Sequence, residues 1–380
     1  MSESSLSALE QAAAKPLPSS GKLAGRFPLY AHPSPSSDQE VAQVLKKLQF
    51  GTAFGDFMSA ATYTEDEGWH RQGTIPYGPL SLDPAAAVLH YSQEIFEGLK
   101  AYRHADNSIW AFRPNYNAAR FQASARRLVM PEMPTELFVA SLIDVVRADT
   151  RWVPDLKGSA LYLRPFMFAS EGFLGVRPAV EYTYLCITSP VGPYFKSGFQ
   201  PVSIWVTKQY HRAMPGGTGA AKTGGNYAAG LIAQQDAKER GFQQVCFLDS
   251  VQGEFLEELG GMNVFAVSKD GSVRTPRLTG TILEGGTRLS IIQLLRDQGR
   301  EVIETDISIN QLVSDIKSGE VVEMFVCGTA AVVTPIGHLA GENFDVTLDN
   351  SALTEQVYDH LTGIQYGTIE DTHNWMYRLA

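Results

Sequence analysis

The 380-residue sequence predicts an α+β protein of two domains. Three observations carry this reading. Strand-like and helical segments are mixed within each half and do not alternate as a regular βαβ array. A proline- and glycine-rich stretch, Ser189-Pro190-Val191-Gly192-Pro193-Tyr194-Phe195-Lys196-Ser197-Gly198, interrupts the chain near its middle. No internal repeat of solenoid period is present, so the length must be filled by separate cores. The expected plan is a disordered leader over residues 1–24, an N-terminal α+β domain over 25–190, a linker over 191–201 and a C-terminal α+β domain over 202–380.

The elements follow in order. Residues 1–24 are rich in Ser and Ala, carry Glu3 and Glu10 and lack arginine, which fits a solvated leader better than a transit peptide. A short helix is expected from Asp38, its N-cap, to Leu48. Phe50 to Met58 alternates aromatic and glycine residues and reads as a strand. Apolar residues 85–91 lead into Ser92-Gln93-Glu94-Ile95-Phe96-Glu97-Gly98-Leu99-Lys100-Ala101-Tyr102. A strand over 109–112 follows the turn His104-Ala105-Asp106-Asn107. Residues 115–130 have helical spacing, with Phe121, Ala125, Leu128 and Val129 on one side. A second helix begins at Pro134-Thr135-Glu136 and can bury Leu137, Val139, Leu142, Ile143, Val145 and Val146. Residues 160–168 and 182–188 are strands rich in aromatic and β-branched residues. Past the linker, a strand over 202–207 leads to a glycine loop. Then come a helix over 226–240 closed by Gly241, a buried strand over 245–248, and a hairpin of 262–267 with 272–274. A helix over 287–298 ended by Gly299, a helix over 310–317, a strand over 321–326 and a helix over 353–361 complete the chain.

Composition excludes several functions. A formal net charge of −10 argues against nucleic-acid binding, so an anionic ligand needs locally placed cations. Cys186, Cys246 and Cys327 are widely spaced and form neither a disulfide framework nor a zinc pattern. They read as buried reduced thiols of a cytoplasmic protein, with no metal expected. No apolar run approaches the ~20 residues of a membrane span, and no secretory h-region is present at the N-terminus.

The chemistry centres on Gly216-Gly217-Thr218-Gly219-Ala220-Ala221-Lys222-Thr223-Gly224-Gly225-Asn226-Tyr227, which sets one lysine among five glycines. Two chemistries use such a lysine: phosphate cradling by a point charge and Schiff-base catalysis by a partly desolvated amine. Gly216-x4-Ala221-Lys222-Thr223 is one residue from the phosphate-loop pattern, and Val245 to Asp249 resembles the strand and aspartate that hold Mg²⁺ in such proteins. Three features oppose a nucleotide-binding protein. The last glycine is missing where backbone must approach phosphate. Gly224-Gly225 in the first helical turn costs about 1 kcal/mol each. Tyr227 has no role there. A Schiff base to a pyridoxal cofactor makes other demands: an acid on the ring nitrogen, a donor to the phenolate oxygen and a phosphate cradle. Glu258 enters an apolar strand past two glycines, whereas Glu254 and Glu257 suit a solvated turn. Residues 278–288 run into a helix N-terminus, an anion site by its free N–H groups and dipole. Cys327-Gly328-Thr329-Ala330 adds further donors.

These residues resemble the class IV, D-amino-acid-aminotransferase-like pyridoxal phosphate enzymes, and within them the branched-chain-amino-acid aminotransferases. The matching motifs are Phe50-Gly51-Thr52, His90-Tyr91, Phe96-Glu97-Gly98-Leu99-Lys100-Ala101, Phe112-Arg113-Pro114, Asn117-Ala118-Ala119-Arg120 and Tyr162-Leu163-Arg164-Pro165. They continue with Lys222-x-Gly224-Gly225-Asn226-Tyr227, Glu258-x-Gly260-x-Met262-Asn263-Val264-Phe265, Gly328-Thr329-Ala330, Ile364-Gln365-Tyr366-Gly367 and His373-x-Trp375-Met376. The resemblance implies the two-domain fold type IV, pyridoxal 5′-phosphate as cofactor, a homodimer, and transamination of leucine, isoleucine and valine with 2-oxoglutarate. It makes Lys222 the Schiff-base lysine, Glu258 the partner of the ring nitrogen and Tyr227 the donor to the phenolate. Arg120, Thr281, Ile282 and Thr329 hold the phosphate. Phe50, Tyr91, Phe96, Tyr162 and Tyr194 line the substrate pocket. The N–H groups of Gly261 and Ala330, with Tyr91, hold the substrate carboxylate, and Arg164 supports them. Leu174 and Val176 reach the partner subunit's pocket. Related alternatives are a D-amino-acid aminotransferase and an aminodeoxychorismate lyase; the Phe-Glu-Gly-Leu-Lys and Gln-Tyr-Gly motifs favour the branched-chain group. Two departures are visible. Ala331 and Thr334 stand where mammalian members carry a Cys-x-x-Cys, so no thiol switch is expected. Gly261 stands where relatives often have Thr, which leaves only a backbone donor there.

Overall fold

Two compact units make up the chain, and the computed structural model describes residues 6–192 and 199–380. The first unit comprises Met1–Tyr194, Ala221–Gly224 and Ile364–Ala380; the second comprises Phe195–Ala220 and Gly225–Gly363.

The first unit begins with helices α1 (Ala8–Ala13), α2 (Ser20–Leu23) and α3 (Asp38–Leu45). Strands β1 (Phe57–Thr64) and β2 (Gly68–Pro76), helix α4 (Ala87–Tyr91) and strands β3 (Glu94–Phe96), β4 (Leu99–Arg103) and β5 (Ile109–Phe112) follow. Helices α5 (Pro114–Arg127) and α6 (Thr135–Ala148) precede strands β6 (Ala160–Ala169) and β7 (Glu181–Val191). Together with the C-terminal strand Met376–Arg378, these strands form an antiparallel sheet. Its order is C-terminal strand, β5, β4, β6, β7, β1, β2, with β3 paired to β6. Helices α5 and α6 carry an apolar stripe at helical spacing and bury it against one sheet face. Phe121, Phe138 and Tyr184 meet there, with ring centroids 5.3–6.4 Å apart. The opposite face is left to Tyr162 and Arg164, because alternate residues of a strand point to opposite sides.

The second unit contains strand β8 (Val202–Thr207), helices α7 (Gly224–Ala228) and α8 (Leu231–Glu239), and strands β9 (Gln244–Leu248), β10 (Leu256–Leu259), β11 (Asn263–Ser268) and β12 (Val273–Pro276). Helix α9 (Gly286–Asp297), strand β13 (Val302–Thr305), helix α10 (Ile309–Ser318), strands β14 (Val321–Gly328), β15 (Val332–Gly341) and β16 (Phe344–Thr347), and helix α11 (Ala352–Gln365) complete it. The sheet order is β10-β9-β8-β15-β14-β11-β12-β13, with β16 on β15. Pairs β8/β9, β8/β15 and β12/β13 are parallel and the others antiparallel.

Several expectations are corrected. The leader is structured from Leu6 onward: Ser7 and Glu10 close a capping box on α1, and Leu23 of α2 is buried against the first core. Ser37, not Asp38, caps α3, because the sequence Ser37-x-x-Glu40 makes a reciprocal capping box. Residues 50–56 are a loop and not a strand. Gly51 takes φ +69° and breaks the extended run, and the loop is tied instead by Ser189 Oγ to the Ala53 carbonyl and Gly55 N–H to the Thr188 carbonyl. The helix expected over 226–240 is two, α7 and α8, parted at Ala229-Gly230. The expected linker begins within β7, which runs to Val191, and residues 193–198 lie outside the described residues. The expected C-terminal bounds also shift. Ala221–Gly224 hydrogen-bonds to β3, and the tail pairs with β5, so both group with the first unit.

Candidate active site

In the first unit, the glycines around Lys222 leave its backbone free to follow its neighbours. Lys222 N–H donates to Ser124 Oγ of α5 at 2.9 Å, and its carbonyl accepts from Phe96 N–H of β3 at 3.0 Å. Gly224 N–H donates to the Glu94 carboxylate. The side chain is partly buried, with Nζ 4.8 Å from the Phe96 ring centroid.

Arg120 lies on the inner face of α5 and is buried. Its Nε and Nη2 fork the fully buried Glu97 carboxylate at 2.7 and 2.8 Å. Asn117, one turn back on the same helix, donates to Glu97 at 2.8 Å, and so does Gly98 N–H at 3.1 Å. Burial raises the Glu97 carboxyl, but the charges of Arg120 and Lys222 and these hydrogen bonds outweigh it and hold the group below the usual carboxylate range.

Aromatic residues gather beside this pair. Tyr162 is buried and meets Phe50 edge-on at 5.0 Å. Arg164, two residues along β6, donates to Tyr162 Oη at 3.1 Å and lies 4.8 Å from the Phe96 centroid. Arg164 Nε is buried with no hydrogen-bond partner among the described residues. A Cβ at Gly98 would collide with Tyr162 Oη, which is why that position is glycine. Tyr91 is exposed, and its hydroxyl donates to the Leu174 carbonyl. Leu174 and Val176 project from the same loop, 65% and 88% exposed. Tyr194 lies outside the described residues.

In the second unit, Glu258 is buried on β10. It accepts from Arg212 Nη2 at 2.5 Å, Leu283 N–H at 2.7 Å and Asn263 Nδ2 at 3.3 Å. The same Arg212 nitrogen donates to the carbonyls of Gly219 and Thr281 at 2.9 and 2.8 Å. One guanidinium therefore fixes the glycine loop, the 281 loop and Glu258 together. Glu257 is buried too, contrary to the solvated turn expected of it, and accepts from Thr281 Oγ1. Burial raises its carboxyl against the opposing pull of Thr281 and Arg212. Thr281 and Ile282 are buried in the loop that leads to α9. Tyr227 is partly buried on α7, its ring beside Gly261, where a Cβ would stand 3.6 Å from Cε1. Thr329 and Ala330 form the turn after β14. Asn263 pairs with Cys327 across β11 and β14, which brings Gly261 alongside that turn.

Each unit thus assembles one set of the expected residues: Lys222, Arg120, Phe50, Phe96, Tyr162 and Arg164 in the first, and Tyr227, Glu258, Gly261, Thr281, Ile282, Thr329 and Ala330 in the second. Sequence reasoning assigned no role to Glu94, Glu97, Asn117, Ser124 or Arg212. A charged residue inside the apolar run Ile95-Phe96-Glu97-Gly98-Leu99 was the available signal for Glu97. Arg212 had none beyond its nearness to the glycine loop. The three cysteines are buried and free, as expected, and burial raises each thiol, Cys246 to about 12.

A family model described as amino-transferase class IV matches residues 94–339. A branched-chain-amino-acid aminotransferase of Mycolicibacterium smegmatis is 51% identical over 360 residues, spanning 93% of this chain and 98% of that relative. The solved branched-chain amino acid aminotransferase from Escherichia coli is 26% identical, with a TM-score of 0.68, covering 85% of this chain and 99% of that one. A T.th. branched-chain amino acid aminotransferase, solved with pyridoxamine 5′-phosphate, is also 26% identical, with a TM-score of 0.67 and coverage of 85% and 99%.

Proposed function

The chain belongs to the class IV aminotransferases, in the branched-chain-amino-acid group, and from that premise we propose how its residues divide the work. It is a transaminase that moves the amino group of L-leucine, L-isoleucine or L-valine to 2-oxoglutarate, giving the branched-chain 2-oxo acids and L-glutamate. Its cofactor is pyridoxal 5′-phosphate, which class IV aminotransferases use. The residues fit that group by their chemistry: a lysine amine, a phenol, a buried carboxylate and a buried guanidinium. The observation that carries the assignment is Lys222, pinned through both its N–H and its carbonyl while its side chain emerges over Phe96.

The bound cofactor supplies a carbon electrophilic toward amines and a protonated ring that accepts the electron pair left at the substrate Cα. Lys222 holds the cofactor at rest. The same Nζ amine, when not holding the cofactor, would be the base that takes the proton from the substrate Cα. Glu258 keeps a proton on the ring nitrogen by charge, and Arg212 holds that carboxylate in place. Tyr227 donates to the phenolate oxygen. Arg120 binds the phosphate with Thr281, the Ile282 N–H and Thr329, while Glu97 and Asn117 fix the guanidinium plane. The N–H groups of Gly261 and Ala330, with Tyr91, hold the substrate carboxylate. Phe50, Phe96, Tyr162 and Tyr194 pack the branched side chain. The unsatisfied Arg164 Nε supports a carboxylate ligand for that residue.

The assembly in this reading is a cytoplasmic homodimer, in which Leu174 and Val176 enter the partner's pocket; their exposure supports it. The test is a panel of amino donors with 2-oxoglutarate as acceptor. One methylene in an apolar pocket is worth about 1–3 kcal/mol, so leucine, isoleucine and valine should react within ~100-fold of one another. Aspartate should fail, because its short chain leaves a carboxylate among aromatic rings. Aspartate or a D-amino acid as the best donor overturns the branched-chain assignment.

A further inference from the structure

We infer that Glu94 is a positioning residue that sets the direction of the Lys222 side chain by anchoring the peptide units that follow it. The inference rests on the reading of Lys222 as the cofactor lysine, and on geometry within the first unit. Lys222 is tied ahead by Ser124 Oγ and at its own carbonyl by Phe96 N–H. A further anchor governs its C-terminal side: Gly224 N–H donates to the Glu94 carboxylate, and the Thr223 side chain bonds the same group. Thr223 is buried, and a Cβ at Gly224 would collide with Glu94 Oε1, so the contact is close on both partners. Glu94 and Phe96 sit at the two ends of β3, which is locked to β6 through Phe168 and Phe166. A short strand held by the sheet thereby carries the backbone of the reactive lysine on one acceptor and one donor. Burial raises the Glu94 carboxyl, and Gly224, Thr223 and the charge of Arg164 draw it back.

What matters in this account is an acceptor at Oε1, which a glutamine also offers to Gly224 N–H; its amide can serve the Thr223 hydroxyl. Glu94→Ala removes the acceptor. Misplacing a reactive group by about 1 Å costs on the order of 100-fold, so Glu94→Ala should lower kcat about 10- to 100-fold, while Glu94→Gln recovers most of that loss. KM for leucine should change less than kcat, because Glu94 anchors lysine backbone rather than substrate. Gly224→Ala attacks the same contact from its other partner and should lower kcat in the same way, which keeps the test open if Glu94→Ala does not fold.

The second readout is independent of turnover: cofactor-free protein is mixed with pyridoxal phosphate, and the visible absorbance of the lysine link is followed with pH. Glu94→Ala and Gly224→Ala should form the link more slowly and shift its titration, with Glu94→Gln near wild type. Wild-type link formation and kcat in both Glu94→Ala and Gly224→Ala overturn the inference, as does a Glu94→Gln variant no better than Glu94→Ala at an unchanged melting temperature. Borohydride labelling of the wild type separates the two levels. A label away from Lys222 sinks the cofactor assignment, whereas a label on Lys222 with indifferent variants sinks only the role of Glu94.

Discussion

Glu97 is a carboxylate with no solvent around it, tolerated because Arg120 grips both of its oxygens. Removing one member of such a pair leaves the other charge buried alone. Glu97→Gln should therefore destabilise the cofactor-free protein by about 3–5 kcal/mol, read from urea unfolding, and weaken cofactor binding as Arg120 loses its fixed plane. The sign with pH follows from the direction of the shift. The folded Glu97 carboxyl lies below its ordinary value of 4.5, so its contribution is present above that value and lost as pH falls through the folded one. Acid unfolding of the wild type should show this loss, and Glu97→Gln should not. Glu258→Gln cannot hold the ring proton by charge and should lower kcat by at least ~100-fold, the scale of lost electrostatic stabilisation. The roles proposed for Lys222, Tyr227 and Glu258 come from contiguous sequence motifs. The bonds that orient them do not. Arg120 and Glu97 are 23 residues apart, and nothing local states that they meet. Arg212 reads as one more loop arginine until the fold sets it on Glu258.

At the scale of elements, periodic segments were read well and irregular ones poorly. The amphipathic spacing of α5 and α6 marked those helices to within a few residues, and the glycines after α8 and α9 marked where those helices end, Gly241 and Gly299 taking φ +87° and +76°. Residues 50–56 were misread because aromatic-glycine alternation mimics a strand, while the anchors of the loop are remote side chains. Strand β10 was missed because two adjacent glutamates contradict burial unless their partners, Arg212 and Thr281, are known. The clamp on that misread loop makes a prediction of its own. Buried Asp149, at the end of α6, accepts from the N–H groups of Asp56 and Phe57 at 3.0 and 3.4 Å and from Thr188 Oγ1 at 2.7 Å. Burial, with the nearby Asp56 charge, outweighs these bonds and raises its carboxyl from 3.8 to about 7. A raised carboxyl stabilises the fold in its protonated form, so its contribution is full below 3.8 and is lost as pH rises toward about 7. Melting temperatures between about pH 4 and 8 should show this loss in the wild type and a flatter profile in Asp149→Asn. In the core that α6 shares with α5 and β7, Phe138→Ala should cost about 3–5 kcal/mol, measured by denaturant unfolding, since the cavity has rigid walls in Phe121 and Tyr184.

For the whole molecule, the shift in composition near residue 190 falls close to the boundary between the two units at Tyr194 and Phe195, whereas no such shift marks the return of the tail. The C-terminal strand pairs with β5, and Ala221–Gly224 joins the first unit; pairing partners that far apart in the chain carry no sequence signature. The proposed dimer has a direct check. Leu174→Asp places a charge where an apolar contact is expected, and sedimentation should show weakened self-association together with lower activity; an unchanged dimer would place the interface elsewhere. The claim on which everything else depends is that Lys222 carries the cofactor. Its direct measurement is borohydride reduction of the pyridoxal-phosphate-loaded protein, proteolysis and mass mapping of the pyridoxyl group. The label should sit on the peptide containing Lys222 and disappear in Lys222→Ala. A label on Lys208, Lys238 or any other lysine would contradict the account.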